Sequence, residues 1–376
     1  MKVNHTPAIT LALKQGSYPI YIENHLIKQG LIKSLIDEVE SQECIVITDA
    51  TVYSLYATFL PKDRVIVVPE GESSKQISVY TEVVEKLATL NLNRQSRIIA
   101  FGGGVVGDLA GFIAATFMRG ISYIQIPTSL MAMVDSSIGG KVALNLKHGK
   151  NMIGSFYQPD AVYIDPSLLL TLNQSEWING MAEVVKYAVG FDVNLFKLLK
   201  NHTLETLMSD ETLISQMITA CVKIKCQIVS EDEFDKGIRN YLNFGHTLGH
   251  AIETFYNYST YKHGEAVAIG MFLKIRLALT SKQLSVETFD EISEIFKRYQ
   301  LPTYFEPNDS EAVFELMARD KKRITDDVEW IRFEGLGQLA RGRDPLSWLM
   351  TTFSTILKEV VNEVVKKGDL EGEKDE

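Results

Sequence analysis

The chain has 376 residues, enough for two units of ordinary size, and its 45% hydrophobic and 23% charged residues exclude disorder and fibrous architectures. A formal charge of −10 with no compensating basic block argues against nucleic acid or an anionic membrane as partner, since both need a positive face. Three cysteines, Cys44, Cys221 and Cys226, without a C-x-x-C pair, and an N-terminal stretch lacking an apolar leader core, lead us to expect a cytoplasmic protein.

In chain order, "CIVITD" (44–49) and "RVIVVP" (64–69) read as buried strands. The turn "PEGESSK" (69–75) follows, and "YTEVVEKLATLNL" (80–92) reads as a helix. Lys75 and the amides of that turn would suit part of a nucleotide, although a capped helix start explains the same residues. After the strand "SRIIAFG" (96–102), Gly102, Gly104 and Gly107 have G-x-G-x-x-G spacing. That spacing lets backbone approach a pyrophosphate and aims a helix N-terminus at its charge. A plain strand-to-helix turn would use the same glycines. The acidic residue normally found at the end of the next strand is replaced by Pro127 and Thr128, which makes Asp49 the substitute candidate for ribose hydroxyls. Residues 98–118 imitate a membrane span, but Asp108 near its middle would cost about 2.5–3.5 kcal/mol in lipid, so no span is expected.

"ISYIQIP" (121–127) and "AVYID" (161–165) are the next strands. Between them, residues 128–156 carry Asp135, Lys141, Lys147, Lys150 and Asn151 among glycines, which suggests a loop wrapped round an anion. Strands alternating with helices predict a largely parallel sheet covered by helices. Beyond Pro166 apolar residues recur at helical spacing. "EWINGMAEVVKYAV", "LISQMITACVKIKCQIVS", "LNFGHTLGHAIETF" and "GEAVAIGMFLKIRLAL" are each long enough for three turns or more. "DDVEWIRFEG" (326–335) reads as a late strand or hairpin, and "KKGDLEGEKDE" as a frayed tail. The expected fold is therefore α/β plus all-α: a Rossmann-like nucleotide-binding unit over 1–172, then a mainly helical metal- and substrate-binding unit over 173–376.

His246 and His250, four apart, share a helix face, and His263 follows. Imidazoles so placed, with a carboxylate such as Glu183, suit a metal, but spacing leaves open which two histidines ligate. Lys186, Lys225 and Arg239 bring positive charge toward the same region, as an anionic substrate would require.

The strings "GGGVVGDLAGFIAATFMRG", "IPTSLMAMVDSSIGGKVALN", "GKNMIGSFYQP", "NGMAEVVKYA" and "RNYLNFGHTLGHAIE" followed by "HGEAVAIGM" resemble, in order, the 3-dehydroquinate synthase family of sugar phosphate cyclases. The resemblance runs from about residue 40 to about residue 325. It implies NAD as cofactor, one divalent metal (zinc, with cobalt as the alternative), and a homodimer. The implied substrate is 3-deoxy-D-arabino-heptulosonate 7-phosphate, converted to 3-dehydroquinate by transient oxidation, phosphate elimination, re-reduction and aldol closure. Carried over, the metal ligands fall on Glu183, His246 and His263, with His250 a substrate contact near the phosphate. NAD contacts fall on Asp49; on Glu70, Gly71, Glu72, Ser73, Ser74 and Lys75; on Gly104, Val105, Val106, Gly107 and Asp108; on Thr128 and Ser129; and on Leu168, Leu169, Leu170 and Thr171. Lys141 and Lys150 would lie between cofactor and substrate. Asp135, Lys186, Lys225, Arg239 and Asn243 would hold hydroxyls and carboxylate, while Arg119, Lys141, Asn151, His250 and Lys321 or Lys322 would reach the phosphate. The last fifty residues keep the family pattern only loosely, because Glu329, Arg332 and Glu334 interrupt an expected apolar strand. Another sugar phosphate cyclase, an iron- or zinc-dependent alcohol or glycerol dehydrogenase, and a non-catalytic binding module are the competing readings.

Overall fold

The structure, a computed structural model, describes residues 5–14, 16–39, 43–146, 149–317 and 327–372. In chain order its strands and helices are β1 (Ile9–Leu13), β2 (Gly16–Ile22), α1 (Leu31–Asp37), β3 (Cys44–Asp49), α2 (Ala50–Tyr56), β4 (Val65–Val68), α3 (Ile77–Thr89), β5 (Arg97–Gly102), α4 (Gly104–Thr116) and β6 (Ser122–Pro127). Then come β7 (Lys141–Leu146), β8 (Gly149–Phe156), β9 (Ala161–Ile164), α5 (Gln174–Gly190), α6 (Val193–Asn201), α7 (Leu204–Ser209) and α8 (Glu211–Glu231). The chain continues through α9 (His246–Phe255), α10 (His263–Thr280), α11 (Val286–Arg298), α12 (Ser310–Met317), β10 (Asp327–Gly335), β11 (Gln338–Pro345) and α13 (Leu346–Gly372).

Two compact units are distinguished: Met1–Gly180 with Glu205–Asp235, and Met181–Leu204 with Lys236–Glu376. The sequence places a single cut between residues 172 and 173, whereas α8 packs with the first unit, against β1 and the turns Ala132–Ser136 and Pro166–Thr171. A stripe of Ile214, Met217, Ile218, Cys221 and Val222 makes α8 a core helix, and helical periodicity alone does not say which core a helix serves. It is also the one described helix long and apolar enough to cross a membrane.

The first unit is built on a seven-stranded sheet in the order β1-β2-β9-β6-β5-β3-β4. The expected strands at 44–49, 64–69, 96–102, 121–127 and 161–165 all form and run parallel in it. Their near-continuous Val and Ile runs are what a sheet covered on both faces demands. The antiparallel hairpin β1–β2, which the sequence reading did not identify, extends the edge, with β2 joining β9 in parallel. Residues 128–156 are not a simple loop: they form a π-helical turn, Ala132–Ser136, followed by the antiparallel hairpin β7–β8. Val142 and Leu144 enter the core beside α4, and this short apolar alternation outweighs the surrounding glycines and lysines.

In the second unit α9 packs with α10 and α12, α13 with α10 and α12, and the hairpin β10–β11 lies against α10 and α13. The charged residues in "EWIRFE" fit a half-buried strand: Glu329 and Glu334 are exposed while Val328, Trp330 and Phe333 are buried. Helix α13 continues to Gly372, into the stretch expected to fray; lysine and glutamate are good helix formers, so its charge does not stop the helix. Lys147, Lys321 and Lys322 lie outside the described residues.

Candidate functional site

Each unit carries part of the chemistry expected from the sequence. In the first, β5 ends at Gly102 and α4 begins at Gly104, so the amides of Gly104, Val105 and Val106 lack intrahelical partners, an arrangement that suits an anion. Gly102 is required by packing: a Cβ there would stand 2.6 Å from the Cβ of Val106. Around this turn Lys75, buried, donates to Asp108 Oδ2 at 2.6 Å and to Asn151 Oδ1 at 2.5 Å. Burial raises the Asp108 carboxyl above its usual range, and the Lys75 ammonium opposes that shift. Asn145 accepts from the Asn151 amide at 2.9 Å and donates to Glu72 at 2.6 Å, with the Lys150 ammonium 3.9 Å from the same carboxylate. Asn145 and Asn151 thus tie the β7–β8 hairpin to the "GESSK" turn.

Asp49 ends β3 and caps α2, accepting from the Val52 amide at 2.9 Å; burial raises its pKa, and the amides of Val52 and Thr51 counter the rise. Thr51 donates to Glu70 at 2.5 Å, while Ser73 and Ser74 bond back to the carbonyls of Glu70 and Pro69. Gly71 is the turn residue before them. Val105, Val106 and Gly107 lie in the first turn of α4, and the Thr128 amide donates to Gly102 at 3.0 Å. Ser129 begins the next turn, accepting from the Ala132 amide at 3.3 Å. Leu168, Leu169, Leu170 and Thr171 form a 3-10 turn in which Thr171 bonds Tyr56 at 2.8 Å. Asp135 accepts from Lys225 on α8 at 2.9 Å, and Lys141 pairs with Asp235. Arg119 is exposed in the turn Phe117–Arg119.

In the second unit, Glu183 on α5, His246 at the start of α9 and His263 at the start of α10 converge, offering ligand atoms all within 4.8 Å of one another. Gly249 lets α9 and α10 approach: a Cβ there would lie 3.1 Å from the backbone of Val267. Glu183 Oε1 is 3.5 Å from His246 Nε2 and 3.8 Å from His263 Nε2. For donors about 2.1 Å from a tetrahedral zinc, the expected separation is about 3.4 Å. The Nδ1 atoms are committed elsewhere, that of His246 to the Phe244 carbonyl at 3.2 Å and that of His263 to Glu253 Oε2 at 3.1 Å. Carbonyl and carboxylate oxygens only accept, so both Nδ1 atoms carry a proton, and in a neutral ring Nε2 is then left with its lone pair. Burial, then the Lys186 ammonium and the neighbouring His263 and His250 rings, push the His246 pKa well below the usual value, which keeps that ring neutral.

With both rings neutral, two imidazole lone pairs face a buried carboxylate oxygen, acceptor against acceptor. Such a cluster repels itself unless a cation lies between the groups. The buried Lys186 ammonium pairs with Glu183 Oε2, which leaves Oε1 as the oxygen without a hydrogen-bond donor among the described residues. Neutral imidazoles and a carboxylate are donors that zinc accepts, so these residues fit a divalent metal. His250 is near, its ring centroid 5.5 Å from that of His246 and 5.9 Å from that of His263, but within a second grouping, with Glu253 and His263. Arg239, buried, and Asn243 belong to the 3-10 turn Ile238–Asn243 just before α9. Sequence reasoning missed Glu253, Asn145 and Asp235. Only Glu253 left a signal, as a carboxylate seven positions after His246 on the helix face that carries both histidines.

A family model described as 3-dehydroquinate synthase N-terminal matches residues 65–179, and one described as 3-dehydroquinate synthase C-terminal matches residues 180–323. A 3-dehydroquinate synthase of Thermoanaerobacter pseudethanolicus is 44% identical over 339 residues, covering 88% of this chain and 95% of that protein. Among solved structures, a 2-epi-5-epi-valiolone synthase from Streptomyces hygroscopicus subsp. jinggangensis, with NAD+ and Zn2+ bound, has a TM-score of 0.83 at 25% identity, covering 94% of this chain and 99% of that one. A 2-deoxy-scyllo-inosose synthase, complexed with carbaglucose-6-phosphate, NAD+ and Co2+, has a TM-score of 0.79 at 23% identity, covering 92% and 99%, and shares the fold.

Proposed function

The chain belongs to the 3-dehydroquinate synthase family, and on that premise we propose that it converts 3-deoxy-D-arabino-heptulosonate 7-phosphate to 3-dehydroquinate and inorganic phosphate in the shikimate pathway. The chemistry is that of a carbon-oxygen lyase: phosphate elimination and ring closure, flanked by an oxidation and a reduction that cancel. When bound, NAD supplies the hydride acceptor and donor, and a divalent metal, zinc with cobalt as the alternative, supplies Lewis acidity.

Glu183, His246 and His263 would hold the metal as one anionic and two neutral donors. The free α4 amides of Gly104, Val105 and Val106 would bind the pyrophosphate, with Gly107 and Asp108 beside it, and Asp49 the ribose, with Glu70 to Lys75, Thr128, Ser129 and Leu168 to Thr171 completing the cofactor contacts. Lys141 and Lys150 would stand between cofactor and substrate. Lys186, buried beside Glu183, would stabilise negative charge on a substrate oxygen. Asp135, with Lys225 holding its carboxylate, would orient substrate hydroxyls, and Lys225, Arg239 and Asn243 would hold the substrate carboxylate. Asn151, His250, Arg119 and one of Lys321 and Lys322 would bind the phosphate, Arg119 reaching that of a neighbouring subunit in a homodimer. The substrate's own phosphate oxygen would take the proton in the elimination, which fits a site rich in Lys, Arg and Asn. Buried thiols at Cys44, Cys221 and Cys226 suit the reducing cytoplasm.

The observation that most directly supports this reading is the convergence of the Nε2 atoms of His246 and His263 on Glu183 Oε1, at 3.5 and 3.8 Å. The test is phosphate release from 3-deoxy-D-arabino-heptulosonate 7-phosphate with catalytic NAD, before chelation, after it, and after zinc is restored. Release that needs both zinc and NAD, with no net NADH, is the expected result. A metal-loaded protein that releases no phosphate, or that accumulates NADH, would overturn the proposal.

A further inference from the structure

Helix α9 carries His246, His250 and Glu253 at i, i+4 and i+7, which puts all three on one face. His246 and His250 are accounted for above, and Glu253 is not. Its side chain is 2% exposed, on a helix whose neighbouring residues Ala251 and Ile252 are also buried. A carboxylate taken so far from water is costly unless a donor meets it. One donor is His263 Nδ1, 3.1 Å from Glu253 Oε2, on α10. Glu253 thus spans from the helix bearing one candidate metal ligand to the helix bearing another.

We infer that Glu253 is a positioning residue for metal binding, fixing His263 in the Nδ1–H tautomer with Nε2 turned toward Glu183. The inference rests on the metal-site reading above. A carboxylate acceptor does more than the neutral carbonyl that serves His246. It raises the electron density of the ring and strengthens Nε2 as a donor, besides setting the ring's rotation. The choice of partner also fits exposure, because His263 is the more open of the two rings and so needs the stronger tether. Glu253 itself touches neither substrate nor metal in this assignment.

The experiment compares wild type, Glu253→Gln and His250→Gln as full-length proteins, measuring zinc affinity by competition with a chromophoric chelator and the visible spectrum of the cobalt-loaded forms. Glu253→Gln keeps a hydrogen-bonding oxygen and removes the charge; thermal melting of the metal-free proteins reports whether the fold survives. The expected result is a zinc affinity about 10- to 100-fold weaker in Glu253→Gln, an altered cobalt spectrum, an unchanged metal-free melting curve, and wild-type affinity in His250→Gln. Unchanged affinity in Glu253→Gln would overturn the inference and leave the metal site standing. An equal loss in His250→Gln would also overturn it, because His250 and Glu253 would then ligate directly with His263. A wild type that retains no zinc would overturn the metal site and this inference together.

Discussion

The glycine turn of the first unit and the metal cluster of the second are each small, yet they are assembled in opposite ways. Gly102, the α4 amides and Asp108 come from one continuous strand, turn and helix. Glu183, His246 and His263 come from the starts or middles of three different helices, and their geometry depends on how closely α9 and α10 approach at Gly249. A local site tolerates distant change and fails by local clash, whereas a non-local site fails when any of its elements moves.

The largest effect should follow removal of a ligand from the non-local site. Glu183→Gln or His246→Ala should abolish stoichiometric zinc retention and lower kcat/KM by about a thousandfold, since metal polarisation is worth several kcal/mol. Metal analysis and steady-state rates check both. Gly249→Ala probes the same site indirectly. The added methyl presses on α10 backbone, and overpacking of about 1–3 kcal/mol should appear in urea unfolding together with weakened zinc affinity. In the local site the matching pair is Gly102→Ala and Gly103→Ala. The first collides with Val106 and should raise the KM for NAD while costing about 1–3 kcal/mol. The second meets only Ser129 Oγ at 3.4 Å and should cost less than half as much.

A finer separation is available at Asp49. Asp49→Asn keeps the cap on α2, so stability should hold while NAD affinity falls; Asp49→Ala loses the cap as well, about 1 kcal/mol more. If the two variants proved equally stable, the cap would carry no weight. The smallest effect concerns thiols. Burial pushes Cys44 up to about 11 and Cys226 to about 12, and Cys221 is buried, so a disulfide reagent at pH 8 should label none of them until the protein unfolds.

The same contrast explains what could be read from the sequence. The five parallel strands and the glycine turn were legible because a β-branched run and a three-glycine spacing are properties of neighbouring residues. The β7–β8 hairpin was not, because only Val142 and Leu144 alternate against a background of Gly, Lys and Asn. Helix α8 was recognised as a helix but placed with the wrong neighbours, since periodicity reports a buried stripe and not its partner. At the metal cluster, spacing found the shared face of His246 and His250 correctly. It offered Glu183, sixty-three positions earlier, as a carboxylate but could not say which two histidines join it, and only the family resemblance named that trio. Glu253 escaped both routes, although a buried acid on the face that carries two histidines is the kind of residue that must have a partner.

The central claim is that one divalent metal is held by Glu183, His246 and His263. Anomalous diffraction at the zinc absorption edge from crystals of the zinc-loaded protein tests it most directly. The expected result is a single peak with the Glu183 carboxylate and the Nε2 atoms of His246 and His263 each about 2.0–2.2 Å away. A peak ligated by His250 in place of either histidine, or no peak from zinc-loaded crystals, would contradict it.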